Sequence, residues 1–62
     1  MKIIKRDEHE YTLLGIVEDK VELLGEFIFD IDEDWVYFPR GEFSYEVEDL
    51  NRIIKYLKKF NN

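Results

Sequence analysis

Hydrophobic and polar residues alternate between positions 21 and 31. Val21, Leu23, Phe27, Phe29 and Ile31 fall on odd positions, and Glu22, Glu26 and Asp30 on even ones. Period-2 alternation predicts a strand with one buried face. Gly25 interrupts the run and predicts a bulge or a close backbone approach. Residues 11–17 (YTLLGIV) are strand-forming by composition. Glu18, Asp19 and Lys20 form a polar break suited to a hairpin turn. Residues 35–38 (WVYF) predict a third strand, ended by Pro39, which cannot donate to a ladder. Ile3 and Ile4 can begin a further strand, and residues 6–10 read as a loop.

The period changes after Gly41. Val47, Leu50, Ile53, Ile54, Leu57 and Phe60 follow the 3-and-4 spacing of one helical stripe. Ser44 is the expected N-cap. Glu46, Glu48 and Asp49 suit the positive end of the helix dipole, and Lys55, Lys58 and Lys59 the negative end. The predicted fold is α+β: a three-stranded antiparallel meander, or four-stranded if the first segment joins, with a C-terminal helix packed on one face. Residues 1–62 are read as a single domain. Leu13-Leu14-Gly15 returns as Leu23-Leu24-Gly25, too short a match to be an architectural repeat.

Composition narrows the function more than the fold. Fifteen Asp and Glu stand against nine Lys and Arg in 62 residues, a formal net charge of −6. The acids concentrate in residues 1–43, which carry −7, whereas residues 44–62 carry +1. An acidic chain is a poor match for duplex nucleic acid, whose readers carry a basic stripe. No apolar run approaches the roughly 20 residues of a membrane helix, so no membrane partner is expected. Ile3 and Ile4, flanked by Lys2, Lys5 and Arg6, do not make a signal-peptide core. Cys is absent, although secreted domains this small usually carry disulfides. These features predict a cytoplasmic location, the host cytoplasm if phage-encoded.

Candidate chemistry is sparse. Asp30-x-Asp32-x-Asp34 has the opening spacing of a calcium loop, but Trp35 stands where that loop needs Gly and Gly41 where it needs Glu. A solvated turn is the simpler expectation, and no metal or other cofactor is expected. His9 sits among Asp7, Glu8 and Glu10 with no Cys to activate, and Ser44 is distant in sequence and assigned to a cap. No catalytic residue is assigned. Carboxylates are abundant, but a 62-residue meander is expected to leave little room for a substrate cleft. The chain is therefore expected not to be an enzyme. Trp35, Tyr37 and Phe38 resemble a base-stacking set, yet Glu33, Asp34 and Glu42 beside them repel phosphate, and no RNA-binding consensus surrounds them.

Residues 25–61 resemble a pattern found in short proteins of bacteria and their phages. Here the pattern consists of Gly25, Phe27, Phe29 and Asp30, then Trp35, Phe38 and Pro39, then Ser44, Leu50, Leu57, Phe60 and Asn61. The resemblance implies a fold and carries no activity. By analogy with small acidic phage proteins, an inhibitor of a basic host protein is expected, such as a nuclease or defence protein, or else a toxin-immunity protein. Trp35, Tyr37 and Phe38 are its expected anchors, and Asp30, Asp32, Glu33 and Asp34 its steering charges. An alternative is a protein that sequesters a nucleotide at an oligomer interface, with Arg6, Lys20, Arg40 and Arg52 as phosphate partners. Leu14, Ile16, Leu24 and Ile28 are expected on the sheet face away from the helix, as the interface of a homodimer or higher oligomer.

Overall fold

The computed structural model describes residues 1–32 and 34–62. Among these, four strands and one helix follow in chain order: β1 (Lys2–Asp7), β2 (Glu10–Val17), β3 (Lys20–Phe29), β4 (Trp35–Pro39) and α1 (Val47–Phe60). The strands form one antiparallel sheet in the order β1-β2-β3-β4. The α+β meander with a C-terminal helix is thus the fold, with four strands. The N-terminal segment pairs from Lys2↔Leu14 to Asp7↔Glu10, so the expected loop at 6–10 shrinks to a tight turn.

The β2–β3 turn has an unusual backbone. Glu18 and Asp19 both have positive φ, 50° and 63°. That is the signature of a type I′ hairpin, whose twist matches the strands it joins. Neither residue is the Asn-Gly this turn favours. The double variant Glu18→Asn, Asp19→Gly is therefore expected to raise stability by about 1 kcal/mol, or a few degrees in thermal melting. No gain in Tm would mean that the turn carries no strain.

β3 departs from strict alternation. Leu13 pairs with Gly25, but the next residue, Leu14, pairs with Leu23. Leu24 is the extra residue of a bulge, and the bulge reverses the parity of β3. Phe27 and Leu24 both face the helix, at 0% and 7% exposure. Val21 and Leu23 turn to the opposite face, as their partners Ile16 and Leu14 do. This corrects the expected interface set: Leu14, Ile16 and Ile28 lie on the open face, but Leu24 belongs to the core. Gly25 is required here because a Cβ would collide with the Tyr37 hydroxyl and ring.

The bulge carbonyl is satisfied from outside the ladder. Leu24 C=O accepts from the Arg40 N–H at 2.9 Å and from the Tyr45 hydroxyl at 2.9 Å. Tyr37 OH lies 3.1 Å from Tyr45 OH. Since Tyr45 donates to the carbonyl, Tyr37 donates to Tyr45. Burial, and then this bond, push the Tyr37 phenol well above its ordinary pKa.

That contact also explains where α1 begins. Tyr45 reaches Leu24 from outside the helix, so Ser44 does not cap the helix as expected. The N-cap is Glu46, with φ −82° and ψ 165°, and the Asp49 carboxylate accepts from the Glu46 N–H at 3.2 Å. Ile53, Tyr56, Leu57 and Phe60 point inward, whereas Val47, Leu50 and Ile54 are exposed. Tyr56 and Ile54 flank the Ile53–Leu57 line on opposite sides, at about 100° per residue. The helix turns Tyr56 toward Phe27, with ring centroids 5.9 Å apart, and this turns Ile54 away. At the other end, the Asn61 side chain clamps the free edge of β4. The Trp35 N–H donates to Asn61 Oδ1 at 2.7 Å, and Asn61 Nδ2 donates to the Trp35 carbonyl at 3.3 Å. No helix among the described residues is long and apolar enough to cross a membrane.

A candidate protein-interaction end

The ladder registers bring two turns together. Asp7 pairs with Glu10, Glu10 with Ile28, and Phe29 with Trp35. The Phe29 N–H donates to the His9 carbonyl at 2.9 Å. The β1–β2 turn and the β3–β4 turn therefore lie side by side at one end of the sheet. Each is closed by an aspartate. The Asp7 carboxylate accepts from the His9 N–H at 2.7 Å, and the Asp30 carboxylate from the Asp32 N–H at 2.9 Å. Short carboxylates stabilise such turns by standing in for a backbone acceptor. Asp30 and Asp32 thus form the solvated turn expected of them. The same geometry clusters Asp7, Glu8, Glu10, Asp30, Asp32 and Asp34 at one end. Glu33, also expected to steer, lies outside the described residues.

An apolar groove of about 520 Å³ opens beside these carboxylates. Ile28, Val36 and Phe38 form its floor on the open face, and Phe29, Ile31 and Asp30 its rim. Ile31 is 87% exposed and Phe38 50%. His9 stacks on Phe29, centroids 5.5 Å apart, and closes the groove toward the acidic turns. Lys58 and Lys59 belong to the helix, on the other side of the sheet. A second groove, about 450 Å³, runs between the start of the helix and the sheet, where Ser44, Asp49 and Arg52 line it. The expectation that so small a meander leaves little groove space is thus corrected. Side chains standing up from the sheet and the 41–46 segment enclose open grooves at the surface.

The three expected aromatic anchors separate. Trp35 is half-buried and packs on Tyr11 and Phe60, with centroids 5.3 and 5.1 Å away. Tyr37 packs on Phe27 at 4.8 Å and is tied to Tyr45. Both face the helix and pack against the core, so they brace the strand that presents Phe38. Phe38 alone faces outward. Strand parity separates them, because Trp35 and Tyr37 share one face and Phe38 takes the other. Phe29 and Ile31 were missed as surface groups because the alternating pattern assigned them to a buried face.

The four cations of the nucleotide alternative do not converge. Arg40 Nε bonds Glu26 Oε1 at 2.7 Å. Arg6 lines a mixed hollow with Glu10, Thr12, Leu14, Leu23 and Glu26 on the open face. Lys20 lies at the opposite hairpin, and Arg52 on the helix side. Within the hollow, a hydrogen bond with Glu26 raises the Glu10 pKa first of all, followed by desolvation and the charges of Glu26 and Asp7. A phosphate would meet these carboxyls before it met two cations. Comparison with known protein families, characterised proteins and solved structures finds no match for this chain.

Proposed function

We propose that the protein is a non-enzymatic binding protein that captures a basic protein partner at its acidic end and inhibits it. The setting is phage counter-defence or toxin immunity, in the host cytoplasm. The observation that carries this reading is the juxtaposition of the two acidic turns with the apolar groove. Six carboxylates attract a basic surface from a distance, and the groove beside them takes an apolar side chain once the partner has arrived. Steering and anchoring are separate jobs, and here they fall on adjacent residues. Phe38, Ile31 and Phe29 are the anchors, with Trp35 and Tyr37 holding the strand that presents Phe38.

Steering acts on the association rate. A partner captured from the native host and identified by mass spectrometry provides the test. Replacing Asp30, Asp32, Glu33 and Asp34 with Ala is expected to slow association about tenfold or more at low salt and to flatten its dependence on ionic strength. Phe38→Ala is expected instead to speed dissociation. If association is indifferent both to salt and to the four acids, electrostatic capture is wrong.

A further inference from the structure

Away from the acidic turns, the open sheet face carries a second apolar surface. Ile16 and Val21 face each other across β2 and β3, as do Leu14 and Leu23. Ile16 is 76% exposed, Val21 69% and Leu23 41%. Ile4 extends the surface toward β1. Among the described residues nothing covers it, because α1 occupies the other face.

A compact monomer of 7.6 kDa is expected to expose about 4,300 Å², whereas this chain exposes 5044 Å². The excess, about 740 Å², is close to the roughly 800 Å² each partner contributes to a standard protein interface. The core is small to match. Among the described residues, Leu13, Leu24, Phe27 and Ile53 are the buried hydrophobic side chains.

We propose that a second copy of this chain covers the open face, in a twofold dimer that stacks sheet on sheet. A twofold axis lying across the strands places the surface against itself end for end, so the two ends of the face must tolerate each other. They do. Lys2 stands on the open face at the hairpin end, beside Leu14, and Glu10 stands on it near the acidic end. Reversal sets each protomer's Lys2 toward its partner's Glu10. The polar centre is already partnered within the protomer. Glu26 holds Arg40 at 2.7 Å, so burying the centre does not strand Glu26 without a counter-charge. The acidic turns project beyond the stacked area, one pair at each end of the dimer. The dimer rests on Leu14, Ile16, Val21 and Leu23, which the basic-partner reading does not use, and shares Glu10 with that reading, so substitutions at Ile16 and Val21 test the dimer alone.

Sedimentation equilibrium at micromolar concentration tests it. The wild type is expected at about twice 7.6 kDa, with the dimer fraction rising with salt as the charge of −6 per protomer is screened. Ile16→Lys and Val21→Lys, each at a side chain more than two-thirds exposed in the protomer, are expected to give monomers with an unchanged circular dichroism spectrum. A monomeric wild type at both low and high salt would overturn the proposal. So would a dimer that survives both substitutions but is broken by Leu50→Lys with Ile54→Lys, because that would place the interface on the exposed helix ridge.

Discussion

Replacing Phe27 with Ala is expected to abolish the folded state at 37 °C. Phe27 has no exposed surface, and its ring touches Tyr37, Tyr56 and Phe60 with centroids 4.8, 5.9 and 5.4 Å away. It is the residue through which β3, β4 and α1 meet. Truncating a buried Phe to Ala costs about 3–5 kcal/mol, because the neighbours collapse only partly into the space left. A domain of 62 residues has a total stability of only about 3–9 kcal/mol. The loss is thus comparable to the whole. A cooperative thermal transition within about 10 °C of the wild type would show that the aromatic cluster is not the folding core.

The second large effect is expected at Gly25, where adding one methyl group disturbs a chain of contacts. A Cβ at this position overlaps the Tyr37 hydroxyl and ring. Tyr37 must move, and its hydroxyl then gives up the Tyr45 oxygen to which it donates. Overpacking costs about 1–3 kcal/mol, and the part-buried Tyr37 hydroxyl left without its acceptor about as much again. Gly25→Ala is expected to lower stability by about 2–5 kcal/mol in urea unfolding. The double variant Gly25→Ala, Tyr37→Ala should cost less than the sum of the two single changes, because Tyr37→Ala removes the ring that the added methyl group would strike. Simple additivity would mean that the bulge tolerates a side chain, and that Gly25 is explained by backbone conformation alone.

These two residues also show where the sequence was legible. Phe27 is visible in the alternation of β3, and β2, β4 and the helix follow from periodicity and turn chemistry alone. Gly25 signals a bulge, yet a single glycine does not reveal which neighbour is the extra residue. The extra residue is Leu24, and that one displacement moves Leu24 into the core and turns Val21 and Leu23 out. Register is a property of pairing, and one chain segment does not disclose it. β1 was faint because its six residues carry four charges, which suits an edge strand protected against further pairing. Helix capping was misplaced for a similar reason. Ser44 is a good cap locally, but the hydroxyl of Tyr45 reaches the bulge carbonyl 21 residues away in sequence, and the start of the helix yields to it.

The candidate site was legible in composition but not in place. The acidity of Asp30, Asp32 and Asp34 is plain in the sequence. That Asp7 and Glu8 join them depends on β1 pairing beside β2, which brings the two turns to the same end. The groove depends on parity after the bulge, which puts Ile28, Val36 and Phe38 on one surface. Asn61 shows the same limit. A terminal asparagine reads as a helix stop, whereas in the fold it bonds both backbone groups of Trp35 and closes part of the sheet edge.

Backbone amide exchange of the complex, compared with the free protein, tests the central claim most directly. With the partner captured from the host, protection is expected to increase in the segments 7–10 and 28–38, the two acidic turns and the walls of the groove. The amides of α1 should keep their free-state rates. Protection confined to α1, around the exposed Val47, Leu50 and Ile54, would contradict it and place the binding surface on the opposite side of the molecule.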